Sequence, residues 1–466
     1  MTSPFLMLSR LYGDETMAEV FSERRTVAGW LDAEAALALA QVQTGVLPAA
    51  VGEAIAAAAT LDNVDWERLW DQARNVGYPI LPLVRMIDAA LDPAAEGRVH
   101  YGATTQDIMD TGLALQLRDG VGRLAELLGD FGDAVALLID RHRHTLLAAR
   151  THGQQAVPTT FGAKLAVLLA ELTRHRRRLF ELAPRIAFVS LFGAGGTSAA
   201  LGENAPAVRR AMAGRLGLEA TDVAWHVARD SQAEFGYVCA GLSATCARFA
   251  REIINLARTE IAEVAEAAGH HRGASSTMPQ KANPIGSEAV IGMAATSSAL
   301  SAALGQAMEA GHERAAGEWQ IEWEVLPQLA VLAAGSTRVA AEIAHGLQVF
   351  PDAMRRNLNG DGYVMAEAYM MRLAGPLGRE RAHDLVYDAV REARDRGDSL
   401  EAVLERNATA GERSAIVPIA PDDYVGTPDL ACDAALADWN AAAANGAGRP
   451  TAHSDLIPTP DPHPEP

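Results

Sequence analysis

Cysteine is scarce in this chain. Three residues in 466, Cys239, Cys246 and Cys432, show neither metal-ligand spacing nor the even count of a disulfide framework. A sparse, odd set fits a reducing compartment, so the cytoplasm is the expected location. Positive charge is also short: 40 basic against 59 acidic residues leave a net charge of −19. That argues against nucleic acid or an anionic membrane as partner, because both demand a basic surface. Residues 1–10 have no basic segment leading into a long apolar core, and charges are expected to break the other apolar stretches before the ~20 residues a membrane span needs. Neither secretion nor insertion is expected. Alternating β-branched runs are almost absent. The glycine cluster Phe192-Gly193-Ala194-Gly195-Gly196-Thr197 has no βαβ unit around it, so it reads as a turn near a site rather than a nucleotide loop. No nucleophile-elbow pattern supports a serine hydrolase.

What remains is apolar and helical. At 49% hydrophobic residues the chain has ample material for a large core. Residues 21–44 form an amphipathic, Ala-rich pattern, and Pro48, Pro79, Pro82 and Pro93 then punctuate too often for long helices. Residues 1–110 therefore read as a small N-terminal helical domain. From Leu113 the apolar positions Leu117, Val121, Leu124, Leu128, Phe131, Val135 and Leu138 alternate by three and four, the mark of a long bundle helix. Similar patterns over 161–183, 232–268, 287–312 and 321–349 complete a central bundle, 111–350. Amphipathic stretches at 364–372 and 379–394 suggest a small C-terminal domain to about 440. Residues 441–466, Ala/Gly-rich and then Pro-rich, are expected to be disordered. The fold class is all-α.

Between two of the long helical patterns lies Gly273-Ala274-Ser275-Ser276-Thr277-Met278-Pro279-Gln280-Lys281-Ala282-Asn283-Pro284-Ile285-Gly286, too rich in Gly, Pro, Ser and Asn to be helix. Hydroxyls, an ammonium and an amide are the groups needed to take a proton from carbon and to hold the resulting carbanion. A helix-capping turn is the plainer reading, but two to eight residues would suffice for it. Two other stretches are less specific alone. In Val99-His100-Tyr101-Gly102-Ala103-Thr104-Thr105-Gln106-Asp107, a glycine and paired threonines precede an apolar run, which suits either a carboxylate site at a helix N-terminus or an ordinary cap. In Arg150-Thr151-His152-Gly153-Gln154, the histidine could equally be a surface loop residue.

Taken together and in this order, the three stretches resemble the signature segments of the fumarase/aspartase superfamily of lyases, over essentially residues 10–435. The resemblance implies a three-domain fold whose long helices form a shared multi-helix core in a homotetramer, and each active site is expected to be built from three subunits. It implies no cofactor and no metal, and a small anionic dicarboxylate or tricarboxylate substrate. It assigns Ser275 as catalytic base and His152 as general acid for the leaving group. Substrate contacts fall on His100, Thr104, Thr105, Thr151, Gln154, Lys281 and Asn283. The segments Asn75-Val76-Gly77-Tyr78-Pro79 and Gly311-His312-Glu313-Arg314-Ala315-Ala316-Gly317 resemble the 3-carboxy-cis,cis-muconate cycloisomerases and add Arg314 as a second carboxylate clamp. A histidine that adenylosuccinate lyases carry near Tyr78 is missing. Against the cycloisomerases, His152 is followed by Gly153, as in adenylosuccinate lyases, where the cycloisomerases have leucine. The expected activity is reversible β-elimination from a succinyl-type substrate, nearest to that cycloisomerase. A C–N lyase releasing fumarate, such as a nitrosuccinate lyase or an adenylosuccinate-type enzyme, and a non-catalytic helical scaffold are the alternatives.

Overall fold

The computed structural model describes residues 6–446 except 268, 271, 274–276, 279 and 359–361. The chain is all-α apart from short antiparallel strand pairs. Helix α1 (Glu23–Gln43) anchors the N-terminal part. Five long helices follow: α2 (Thr105–Arg141), α3 (Phe161–Ile186), α4 (Asp230–Leu256), α5 (Ile285–Ala307) and α6 (Glu318–Gly346). They pack side by side as a bundle, and α7 (Pro428–Gly446) lies along α3. Every position of the stripe read from the sequence on α2, from Leu117 to Leu138, is buried. Burying that stripe against α3 and α6 is what stabilises a helix of this length.

Three apolar cores form, and they do not follow the linear division of the sequence. Val189, Leu191, Val208 and Met212 join the N-terminal core around α1 rather than the bundle. Cys432, Ala435 and Trp439 of α7 join the bundle core rather than the C-terminal one. Trp439 fills the notch above Gly132, where a Cβ would lie 2.1 Å from its ring, and its Nε1 donates to Asp133 at 2.7 Å. The helix reaches Gly446, past the expected end of the ordered part at 440; the remainder of the expected tail lies outside the described residues.

Two further expectations are corrected. The helix expected over 232–268 stops at Leu256, because the chain is drawn sideways at Glu263. The buried Glu263 carboxylate accepts a forked pair from Arg150 at 2.6 and 2.9 Å and a bond from Asn357 at 2.8 Å. Val264–Ala265 then pairs with Gln348–Val349. The second correction concerns apolar runs: residues 289–308 carry no charge, so α5 is long and apolar enough to cross a membrane by composition alone. It sits between α4 and α6 in the bundle.

One ion cluster ties three helices at one end of the bundle. Arg229, just before α4, is fully enclosed and makes forked bonds to Asp110 of α2 (2.9 and 3.1 Å) and Glu322 of α6 (2.8 and 2.5 Å). Trp319 Nε1 also donates to Asp110 at 3.2 Å. Burial pulls Arg229 toward losing its proton, but the two carboxylates outweigh it and hold it charged, while burial pushes Glu322 above its usual range. Arg229→Met leaves two buried carboxylates without a cation and is expected to cost about 3–5 kcal/mol. Thermal unfolding measures this, and an unchanged midpoint would contradict the assignment.

Candidate active site

The predicted site residues fall into two groups at opposite ends of the bundle. At the first end α2 begins. Thr104 is its N-cap, in a capping box with Asp107. The Asp107 carboxylate does more than cap: besides the Thr104 N–H (3.1 Å) it accepts from Ser190 Oγ (3.1 Å) and from the N–H groups of Phe192 (3.0 Å) and Gly193 (2.8 Å). Burial pushes Asp107 above the usual carboxylate range, and these N–H bonds draw it part of the way back. The glycine cluster is thus a turn lashed to the start of α2, next to Thr104 and Thr105.

Arg314 lies against the same turn. Its Nε donates to Ala194 O (3.0 Å), Nη2 to Gly193 O (2.6 Å) and Nη1 to Gln106 Oε1 (2.5 Å). Three of its five N–H groups are occupied, so a substrate carboxylate would meet the other two. Gln106 passes the connection on to Asp110 at 3.0 Å and to the His226 carbonyl at 2.8 Å. His100 completes this end, with Nδ1 2.6 Å from Glu34 Oε1 on α1. Burial alone would lower the His100 pKa, but the charge and hydrogen bond of Glu34, with Asp107 beyond, hold it above its ordinary value.

At the second end α2 stops, and the chain forms a hairpin of β1 (Leu146–Thr151) and β2 (Gln154–Thr160) that the sequence pattern did not announce. Thr151 pairs with Gln154, leaving His152 and Gly153 as a two-residue turn with φ of 52° and 76°. Positive φ at both central positions is the primed turn that suits a twisted hairpin, and the second position calls for glycine. Gly153 is therefore explained by backbone geometry, whatever the chemistry of His152. Thr151, His152 and Gln154 are all exposed at this tip. The Arg150–Glu263 fork fixes the turn end of the hairpin to the chain leaving α4.

The signature loop is at this end too. Asn283 N donates to Gly273 O at 2.9 Å, and a Cβ on Gly273 (φ 67°) would lie 2.4 Å from Asn283 O, so these residues form the neck of a closed loop. Gly286 is the second residue of α5, buried against Ile343. The Glu266 carboxylate accepts from Gly286 N (3.2 Å), Ser287 N (2.8 Å) and Ser287 Oγ (2.7 Å), satisfying the start of that helix. Lys281 is exposed and Asn283 half-buried. Lys281 is one of only two lysines in the chain; the other, Lys164, is paired with Glu252. Ser275 lies outside the described residues.

So His100, Thr104, Thr105 and Arg314 gather at one end, and Thr151, His152, Gln154, Lys281 and Asn283 at the other. The 37 residues of α2 separate them by roughly 54 Å at ~1.5 Å per residue. A groove of about 500 Å³ between α3 and α4, lined by Arg174, His175 and Arg178, touches neither group. Glu34, Gln106 and Arg229 escaped the sequence reading; a signal for Glu34 was its place as a lone carboxylate in the apolar run Ala33–Leu39, since a buried charge demands a partner. Asp107→Ala removes the acceptor of four donors. It is expected to cost at least about 2 kcal/mol and most of the activity; calorimetry and a turnover assay check this, and wild-type values in both would refute the role given to Asp107.

Comparison with known proteins identifies the family. A lyase family model matches residues 13–297. The 3-carboxy-cis,cis-muconate cycloisomerase of Pseudomonas aeruginosa is 44% identical over 396 residues, covering 84% of this chain and 86% of its own. The N-acetyl-S-(2-succino)cysteine lyase of Dickeya dadantii is 34% identical over 401 residues, covering 86% and 88%. Among solved structures, the 3-carboxy-cis,cis-muconate lactonizing enzyme from Pseudomonas putida superposes with a TM-score of 0.86 at 36% identity, covering 94% of this chain and 99% of the other. This chain belongs to the fumarase/aspartase superfamily and is a lyase or cycloisomerase of it.

Proposed function

We propose that the chain catalyses reversible β-elimination on a succinyl-type substrate, nearest to the 3-carboxy-cis,cis-muconate cycloisomerase reaction, and does so as a homotetramer with shared sites. The observation that carries the reading is the division of the site residues between two ends of a bundle too long for them to meet within one chain. A neighbouring copy running the other way brings the end bearing His100 to the end bearing Lys281. The surface of α5 supports association: only 33% of its most apolar stretch is buried within one chain, and Ala295, Ala299 and Ala302 are exposed along it. Such a face gains by packing against another helix, and its small side chains permit a close approach.

The chemistry follows from the residue types. Ser275, as the base, takes the proton alpha to one substrate carboxylate, and the electron pair passes into that carboxylate as an aci-carboxylate dianion. Lys281 and Asn283 hold the dianion; without them such a weak carbon acid would not ionise. The bond to the β leaving group then breaks to give the alkene, with the pair departing on the leaving group. In the cyclising direction a carboxylate oxygen adds to the alkene and the alpha carbon regains a proton. His100, Arg314, Thr104 and Thr105 bind a second carboxylate from the neighbouring chain's end. His152, with Thr151 and Gln154, faces the leaving group.

A C–N lyase releasing fumarate is the second reading, and it rested on the His152-Gly153 pair. Since the positive φ of Gly153 also suits the turn, the pair alone does not decide between the classes. A screen of carboxymuconolactone, nitrosuccinate, adenylosuccinate and aspartate does.

Ser275→Ala and His100→Ala are each expected to fold and to be inactive. Mixed after dissociation, they should regain up to roughly a quarter of wild-type activity through hybrid sites, as random assortment within a closed oligomer allows. Mixtures as inactive as their parts would remove the shared-site reading. His152→Ala reports on the leaving group. For a carboxylate or nitrite, stable as anions, the loss should be modest and appear in KM as much as in kcat. A loss of ~10³-fold in kcat at unchanged KM would point instead to an amine leaving group and to His152 as an indispensable acid.

A further inference from the structure

His100 stands in an unusual setting. Its backbone is in the left-handed region, φ 64°, a conformation that costs a non-glycine residue something of order 1 kcal/mol. The turn is kept there by Gln41, whose Nε2 donates to the Tyr101 carbonyl at 2.6 Å, and by Gly102 (φ 81°), where a Cβ would strike Leu201. What this arrangement achieves is to bring the imidazole Nδ1 to 2.6 Å from Glu34 Oε1. The Glu34 side chain has no exposed surface, and its other oxygen, Oε2, has no hydrogen-bond partner among the described residues. A fully enclosed carboxylate whose one partner is a histidine is expensive unless that histidine carries the opposite charge. The ring keeps about a fifth of its surface in solvent, and its Nε2 is not among the enclosed, unpartnered atoms. One ring nitrogen is thus committed inward and the other is left for a ligand.

We infer that Glu34 is a positioning residue for His100: it orients the ring through Nδ1 and keeps it as an imidazolium, so that Nε2–H presents a positive donor to a substrate carboxylate. On a chain of net charge −19, an anionic substrate needs such a local cation, and a histidine supplies one at neutral pH only with a carboxylate behind it. The groups acting on His100 from the elements packed around it are Glu34 of α1 and Asp107 of α2, both raising its proton affinity against the effect of burial. Asp107 is already engaged by the turn at 190–193, which leaves Glu34 as the direct partner. With the folded pKa raised, the imidazolium is fully present below the ordinary value near 6.5 and is lost only as pH rises through the folded value.

The inference rests on His100 being a substrate contact, so the test separates the two. In wild-type protein with ¹³C-labelled histidine, the His100 resonance, assigned from a His100→Gln spectrum, should titrate above the ordinary value, and in Glu34→Gln it should fall back to or below it. A wild-type His100 that titrates at or below the ordinary value overturns the inference by itself, even if Glu34→Gln does not fold. An unmoved titration in a folded Glu34→Gln overturns it as well. In kinetics on the substrate found by the screen, Glu34→Gln should move the alkaline limb of kcat/KM to lower pH and raise KM roughly tenfold at pH 8, the scale of one charged hydrogen bond, with a smaller change in kcat. Near pH 5, where the imidazole is charged in both proteins, the two KM values should converge. A shifted titration with an unchanged KM would leave Glu34 controlling the charge but remove His100 from the substrate site.

Discussion

The stiffness of α2 is the constraint on which the rest of the structure depends. A 37-residue helix with a continuous buried stripe is a rod, and the chain folds along it: α3 returns beside it, and α4, α5 and α6 add three more passes. Whatever stands at Thr104 is therefore remote from whatever stands at His152. On the proposed reading, a chemistry that uses both draws on a second copy, and α5, apolar yet largely uncovered, is the element with surface to spare for it. Packing and catalysis are linked through helix length.

Charge is used sparingly inside this scaffold, and each buried ionic group does one positional job. Arg229, between Asp110 and Glu322, registers the starts of α4, α2 and α6 against one another. Asp107 lashes the 190–193 turn to the first turn of α2, and Arg314 closes that turn from the other side. Arg150 with Glu263 does the same for the hairpin, and Glu266 for the start of α5. Such pairs add little net stability over apolar packing, but removing one partner is costly, which suits groups that must hold a site in register.

The sequence was most legible where a single periodicity dominates. Leu117 to Leu138 could be read as one helix face because seven apolar positions repeat with no intervening proline. The loop 273–286 and the Thr104 cap could be read because their composition is specific to few backbone states. The hairpin could not, since its strands are short and its turn is set by two φ angles at His152 and Gly153 that leave no longer pattern. The early end of α4 was hidden for a related reason: the residues after Leu256, Ala257-Arg258-Thr259-Glu260-Ile261-Ala262, remain helix-compatible, and the chain's turn is marked by the long-range pairing of Glu263 with Arg150 and Asn357. Glu34 and Arg229 belong to the same class, their importance resting on a partner far along the chain.

The superfamily supplies the reaction type, while the geometry of this chain supplies the argument for how its parts must be brought together. On the proposed reading, no single chain contains a working site. Sedimentation of the active enzyme, with turnover followed as the boundary moves, tests this. All activity should travel with a four-chain particle and disappear when dilution dissociates it. Turnover sedimenting with a single chain would contradict it.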